Sequence, residues 1–384
     1  MSLPIRIPVI YHGKRSLEQL KNFKENRILI VTGKTTRQMV GDKLLDLFKG
    51  REVKIFDEAE PNPTDTIMIK GGDVAREFKP ELIIGIGGGS AMDIAKACYF
   101  LYGQPSLKLS DINLTKEYNL KEKSKLVLVP TTSGTGSENS PGLVFTNSQT
   151  GQKTALVSYE LVPSAVILDP TLVLNMPREL TLSSGLDALA QAIESASSKL
   201  ITDFLQAYNL YAIKILFKYL PIAVKEGAND TNARKKIHYA ASMIGIAYGT
   251  AGNGLGHACG HALGGVFHFS HGSTVGLMLP YNIEYNKPEC KEVYTEILES
   301  LNVTGVKDPT AKLSSMVKEL LKKMDAPFTI KGLGISEKDW KQNFEKVVNF
   351  AKTDVNLFFN PRRPSEEDLR KIFQYAYEGK TIDF

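Results

Sequence analysis

Short apolar, β-branched runs recur through the first half of the chain: RILIVT at 27–32, EVKIF at 52–56, ELIIGIG at 81–87, KLVLVP at 125–130 and SAVILD at 164–169. Runs of this length, without polar alternation, are the pattern of strands buried on both faces. Between them lie stretches with helical spacing of apolar positions, such as TRQMVGDKLLDLFKG and SAMDIAKACYFLYG. Strand and helix in alternation predict an α/β domain built on a doubly wound parallel sheet. One segment breaks the rhythm. In GLVFTNSQTGQKTALVS, residues 142–158, two extended runs flank a polar, glycine-containing turn, which predicts a β-hairpin.

After DPTLVLNMP the strand signal stops. From about residue 178, apolar residues recur at spacings of three and four in SSGLDALAQAIESASS, TDFLQAYNLYAIKILFKYL, ARKKIHYAASMIGIAYGTA, PTAKLSSMVKELLKKM and SEEDLRKIFQYAYEG. The second half therefore reads as an all-α domain. A chain of 384 residues also exceeds what one ordinary core organises. The expected domains are 1–175 and 176–384, with no internal repeat and no low-complexity segment.

Composition narrows the partners. Hydrophobic residues make up 42% and charged residues 23%, as in a soluble globular protein. The excess of 47 basic over 42 acidic residues is small and scattered, and NLKEKSKL at 119–126 reads as a solvated loop, so no nucleic-acid partner is expected. Cys98, Cys259 and Cys290 form no CxxC pair and are odd in number, which argues against a disulfide framework and for a reducing cytoplasm. No apolar stretch reaches eighteen residues, and MSLPIRIPVIYHGKR lacks a charged segment followed by an apolar core, so neither a membrane partner nor a signal peptide is expected.

Three segments of the α/β half invite a ligand. ELIIGIGGGSAMDIAKA reads as strand, glycine turn and helix. Gly87, Gly88 and Gly89 let backbone approach a ligand, Ser90 is placed to cap the helix, and a helix N-terminus attracts phosphate. The GxGxxG fingerprint is incomplete, because Ser90 stands at its last glycine. A tight βα turn without ligand is the plainer alternative. VTGKTTRQ at 31–38 echoes the end of a Walker A loop, but Ile28 occupies the position of that motif's first glycine. The segment still follows a strand, where open sheets bind ligands, and Lys34 and Arg37 make it cationic. PTTSGTGSENS at 130–140 follows the next strand and is rich in hydroxyls, which suits a second wall of a nucleotide cleft.

The helical half concentrates its chemistry in GHACGHALGGVFHFSHGS, residues 256–273, which holds four of the six histidines: His257, His261, His268 and His271. A helical HACGHAL projects His257 and His261 from one face, and imidazoles in this number suggest a metal or proton transfer. A divalent metal also favours an anionic ligand. SSGLDALAQAIES places Asp187 between Leu186 and Leu189, with Gln191 one turn on and facing the same way. A carboxylate on an interior helical face is costly unless paired or liganded. The alternative is an early-helix acid near the positive end of the dipole.

Taken together these segments resemble the iron-containing (group III) alcohol dehydrogenase family. The resemblance runs in order through PNPT at 61–64, GIGGGSAMDIAKA, PTTSGTGSE, DPTLVLNMP, GLDALAQAIES, GHACGHALGG, HGSTVGLMLP and NPRRPS at 360–365. It implies a Rossmann-like N-terminal domain that binds NAD(P), a helical C-terminal domain that binds a divalent metal, usually iron, and a substrate cleft between them. By position, Gly87, Gly88, Gly89 and Ser90 would hold the pyrophosphate, and Thr131, Thr132 and Thr135 would line the dinucleotide. Asn62, Asp93 and Lys153 also count with the cofactor side. Asp187, His257 and His271 match three metal ligands, and His261 matches a second histidine near the nicotinamide that is not usually a ligand. His268 is expected beside the site or merely local.

Two departures alter the implication. The family's fourth ligand is usually histidine, and here it is Gln191, a harder and weaker donor. Iron, zinc or another divalent ion, or none, are all compatible with that change. Many members carry Asp at the position of Gly33, which excludes a ribose 2′-phosphate. Gly33 removes that repulsion and Lys34 or Arg37 can pair with the phosphate, so NADP(H) acceptance is expected beside NAD(H). The implied reaction is hydride transfer between the nicotinamide and a small alcohol or aldehyde, with Asp187 holding the Lewis acid and His261 relaying the proton. A metal-independent reductase like maleylacetate reductase, a relative of glycerol dehydrogenase or dehydroquinate synthase, and a nucleotide-binding module without catalysis are the rivals. Family analogy suggests a homodimer or larger assembly.

Overall fold

Each apolar run of the first half forms a strand of one parallel sheet in the computed structural model, which describes residues 4–384. The elements are β1 (Val9–His12), β2 (Arg27–Val31), α1 (Lys34–Leu47), β3 (Glu52–Phe56), α2 (Asp65–Phe78), β4 (Leu82–Gly87), α3 (Gly89–Gly103), β5 (Lys125–Pro130) and β8 (Ala165–Leu168). The sheet order is β1-β8-β5-β4-β2-β3, every neighbouring pair parallel. β6 (Gly142–Thr146) and β7 (Lys153–Val157) pair antiparallel as a separate hairpin. The inner strands β2, β4, β5 and β8 lack alternation because both faces are covered. Leu29, Ile83 and Leu128 join one core, and Ile28, Ile84 and Val129 join another. β1 gives no such run: its residues VIYH are partly or fully exposed at the sheet edge.

The order places a topological switch at β2 and β4. β2 connects outward to β3, while β4 lies on its other side. Open parallel sheets bind ligands outside the carboxyl ends of the strands at such a point. The first turn of α1 and the end of β4 meet there, with the Thr36 hydroxyl 3.8 Å from where a Cβ on Gly87 would lie.

The chain packs as two compact units, one through Leu174 and one from Asn175 to Phe384. The second is helical: α4 (Arg178–Ala196), α5 (Asp203–Glu226), α6 (Thr231–Ala251), α7 (Leu255–Phe267), α8 (His271–Tyr285), α9 (Lys291–Ser300), α10 (Pro309–Lys323), α11 (Glu337–Lys352) and α12 (Glu366–Glu378). α4 is its axis, buried almost continuously from Gly185 to Ala196 and packed against α5, α6, α7 and α8. α8 left little periodic signal because it is buried on all sides and carries Pro280 inside.

Gly85 lies where β4 meets α3. A Cβ there would sit 2.7 Å from both Ala95 Cβ and Leu128 Cδ2 and 3.4 Å from Met92 Cα. Gly85→Ala is expected to lower stability by about 1–3 kcal/mol through overpacking. Urea unfolding reads this as a lower midpoint at unchanged slope, and an unchanged midpoint would mean that α3 has room to move.

Candidate active site

In the helical unit, α4, α7 and α8 carry the sequence's metal candidates to one point. Asp187 Oδ1 lies 3.4 Å from His257 Nε2 and 3.2 Å from His271 Nε2, and the three donor atoms fall within 4.8 Å of one another. Asp187 and His257 are each 2% exposed and Gln191 is 4% exposed. His271, the first residue of α8, is more open.

Small residues make this convergence possible. A Cβ on Gly260 would lie 2.6 Å from Val275 Cγ2 and 2.9 Å from the Val275 backbone, so α7 and α8 touch there. A Cβ on Gly276 would lie 2.8 Å from Leu186 Cβ, beside Asp187. Gly272 passes so close to the Ser183 carbonyl that no side chain fits.

Two carboxylates absent from the sequence expectations complete the cluster. Glu194 Oε2 is bonded to His257 Nδ1, and its Oε1 accepts from the His257 backbone N–H at 3.0 Å. This bond selects the tautomer that presents Nε2 as a ligand atom. Burial works against a charged His257, but Glu194 and Asp187 outweigh it and raise its pKa to about 9, so a metal that takes Nε2 has to displace a proton from it. Burial likewise opposes ionisation of Asp187, yet His271 and His257 hold its carboxyl well below the usual range. Asp354 accepts from His261 Nδ1 at 2.7 Å. Burial would raise the Asp354 carboxyl, but His261 and Asn356 bring it down to about 2. His261 stacks on His271, ring centroids 5.0 Å apart. His268 stays outside, ending α7 in a left-handed conformation at φ 61°. Glu194 did leave a trace in the sequence: Asp187, Gln191 and Glu194 are spaced i, i+4, i+7 along one stripe of α4. Asp354 is 93 positions from His261 and left none.

The donors fit a divalent cation. Asp187 Oδ1, Gln191 Oε1 and His257 Nε2 are buried without a hydrogen-bond partner. Buried polar atoms are seldom left so unless an ion or water completes them. Two imidazoles, a carboxylate and an amide oxygen form a set that suits borderline metals such as iron or zinc.

In the α/β unit the glycine turn is a partly exposed bend between a buried strand and a buried helix. Gly87 has φ 154°, and a Cβ there would lie 2.7 Å from Ala91 Cβ. The helix cap differs from expectation: Gly88 is the N-cap, without a side-chain cap bond, and Ser90 is already inside α3. A bare N-terminus aimed out of a glycine cradle fits a phosphate. The hydroxyl loop lies against it. Thr131 N–H donates to Gly87 O at 2.8 Å, and Thr132 and Thr135 stand 3.4 and 2.8 Å from where side chains on Gly88 and Gly89 would begin. Gly33 caps α1, and a Cβ there would lie 2.7 Å from Ala59 O. Lys34 opens α1 in an exposed position, whereas Arg37 is ion-paired with Asp57. Asn62 is exposed in a left-handed turn at φ 55°. Asp93 is turned into the protein, its two oxygens accepting from Ser137 Oγ at 2.6 Å and Val144 N–H at 3.0 Å. Lys153, at the start of β7, lies within electrostatic reach of Asp93.

A parallel sheet with a glycine cradle at its switch point, together with a helical unit holding an Asp/His cluster, fits a nucleotide-dependent dehydrogenase with a metal site. The chain matches the iron-containing alcohol dehydrogenase family over residues 8–170 and that family's C-terminal part over 181–377. It is 35% identical to the NADPH-dependent butanol dehydrogenase of Clostridium saccharobutylicum, covering 98% of both chains. It is 34% identical to the bifunctional aldehyde-alcohol dehydrogenase of Escherichia coli, of which it spans 44% while 95% of this chain is covered. The iron-containing alcohol dehydrogenase of Thermococcus thioreducens shares the fold with a TM-score of 0.89 at 30% identity, covering 98% of this chain and all of that one, 100%. The chain belongs to the iron-containing alcohol dehydrogenase family. It is an NAD(P)-dependent alcohol dehydrogenase with an Asp/His metal site.

Glu194→Gln removes the charge that holds His257 in place. Divalent-ion affinity is expected to fall about 10–100-fold. Competition with a chelator of known affinity measures it, and unchanged affinity would show that Glu194 does not orient the ligand.

Proposed function

We propose that this protein interconverts small aldehydes and primary alcohols with NADP(H) in preference to NAD(H), using a ferrous ion held by Asp187, Gln191, His257 and His271. Convergence of buried, partnerless donor atoms from α4 and α7 beside His271 carries the proposal. Gln191 is the fourth ligand in this reading, because its amide oxygen is buried one turn from Asp187 with no partner. When bound, the nicotinamide supplies or accepts the hydride and the metal supplies Lewis acidity toward the substrate oxygen.

The protein's own groups do the rest. Gly87, Gly88, Gly89 and Ser90 take the pyrophosphate at the start of α3, and Thr131, Thr132 and Thr135 line the dinucleotide. Asn62 and Lys153 count with the coenzyme side in this reading. Residues 1–175 thus form the dinucleotide domain and 176–384 the metal and substrate domain. Asp187 sets the charge of the metal site. Asp354 takes Nδ1 of His261, so His261 holds and moves the proton at Nε2.

Coenzyme preference follows from the end of β2. Gly33 offers no carboxylate to repel a 2′-phosphate, and the Ala59 carbonyl leaves no room for a side chain at that position. Arg37 is tied to Asp57, which makes exposed Lys34 the better-placed cation. The NADPH dependence of the butanol dehydrogenase relative points the same way. Edge strand β1 continues the exposed apolar stripe Ile7, Val9 and Tyr11, which supports a homodimer or larger assembly. Three buried free thiols fit a cytoplasmic setting.

Elemental analysis of the protein as purified is expected to find one divalent ion per chain. Chelation should abolish butanal reduction, and ferrous ion should restore it. Full activity without metal would overturn the Lewis-acid reading. Gln191→His, which places a stronger donor at the fourth position, is expected to tighten metal binding about tenfold, or ~1.4 kcal/mol. Unchanged affinity would remove residue 191 from the ligand set. The kcat/KM for NADPH should exceed that for NADH by about tenfold or more, an effect of ~1.4 kcal/mol. The reverse ratio would overturn the coenzyme assignment.

A further inference from the structure

Lys96 has no solvent exposure. Its ammonium donates to the carbonyls of Ser137 at 2.7 Å, Ser140 at 2.9 Å and Gly142 at 2.6 Å, with the Ser137 hydroxyl at 3.1 Å and the Ser140 hydroxyl at 3.4 Å. An ammonium has three protons, so the three carbonyls saturate it. Charge compensation comes from Asp93, one turn earlier on α3, and from Glu138. Asp93 in turn accepts from the same Ser137 and from Val144 N–H, the next residues of the same stretch.

A buried ion pair is a poor way to add stability, since apolar side chains of similar volume often serve as well or better. It does specify geometry. The Ser137 and Ser140 carbonyls belong to the loop that continues from Thr131–Thr135, the Gly142 carbonyl to the first residue of β6 that ends it, and those threonines rest on the glycine turn. Gly89, Asp93 and Lys96 stand at i, i+4 and i+7 on α3, so one helical stripe carries the turn at its start and both anchors of the loop beyond it.

We propose that Lys96 and Asp93 are positioning residues for the dinucleotide: together they hold the hydroxyl loop at a set spacing from the glycine turn and so fix the width of the coenzyme cleft without touching the coenzyme. The proposal rests on the dinucleotide reading of that turn. It assigns to Asp93 an indirect role on the cofactor side. It also gives a reason for a fully buried lysine that neither the metal site nor the hydride chemistry uses.

Lys96→Met keeps the stem and removes the donors. NADPH binding is followed by nicotinamide fluorescence, with steady-state kinetics on butanal at saturating NADPH and metal content in parallel. The Kd and KM for NADPH are expected to rise about tenfold or more. The KM for butanal, the kcat and the metal content should stay within about threefold of the unsubstituted enzyme. Ser137→Ala deletes only the hydroxyl that links Asp93 to Lys96, and it serves if the first variant does not fold. It should show the same split at about threefold. Unchanged NADPH affinity in a folded Lys96→Met, or in Ser137→Ala where Lys96→Met does not fold, overturns the proposal. So does an equal loss in butanal KM, kcat and metal content, which would mark general damage to the fold. Failure of the unsubstituted protein to bind either NADPH or NADH would overturn the dinucleotide reading and this proposal together.

Discussion

A carboxylate inside a helical core is the constraint on which the second unit depends. Asp187 is 2% exposed on α4, among Leu186, Ala188 and Leu189. An isolated charge there would cost several kcal/mol, a large share of a domain's small net stability, so it requires cationic or metal partners at close range. Imidazoles answer that requirement from two other helices, and the glycines of α7 and α8 let those helices come near enough. Glu194 then holds His257 from the far side, one stripe along the same α4 face. Moving α7 or α8 away from α4 would take an imidazole from beside the buried charge of Asp187, which ties the three helices to one arrangement.

The α/β unit meets a similar demand with the sign reversed. Its buried charge is the ammonium of Lys96, whose pKa burial pulls down to about 8 while Asp93 and Glu138 resist. Lys96 sits about two helical turns from the glycine turn, whereas Asp187 is itself part of the donor cluster. The difference lies in what is left over. The α/β network uses its donors and acceptors internally, while the Asp187 cluster keeps buried acceptors without partners, which is why the metal belongs to the helical unit.

Much of this was legible along the chain. Buried strands of a doubly wound sheet announce themselves because each must be apolar on both faces, as in β2, β4, β5 and β8; β3, at an edge with only Phe56 buried, was legible from its β-branched run. β1 was silent because an edge strand with exposed residues needs no such run. The glycine turn was legible because only glycine allows φ 154° with Ala91 Cβ so near. The histidines stood out by number, and Asp187 by its apolar neighbours.

Local composition and periodicity thus determined the two-part architecture and marked the glycine turn and the histidine cluster, since each depends on residues within a few turns of one another, while the class of chemistry came from the ordered motifs that resemble the iron-containing alcohol dehydrogenase family. Pairings between distant residues needed the fold. Asp354 reaches His261 across 93 positions, and Lys96 reaches Gly142 across 46. The helix cap passed from Ser90 to Gly88, and Arg37 was claimed by Asp57, because backbone path and strand order place neighbours that spacing does not encode. A side chain's partner is set by where the chain returns, and that is decided by packing of whole elements rather than by any short stretch.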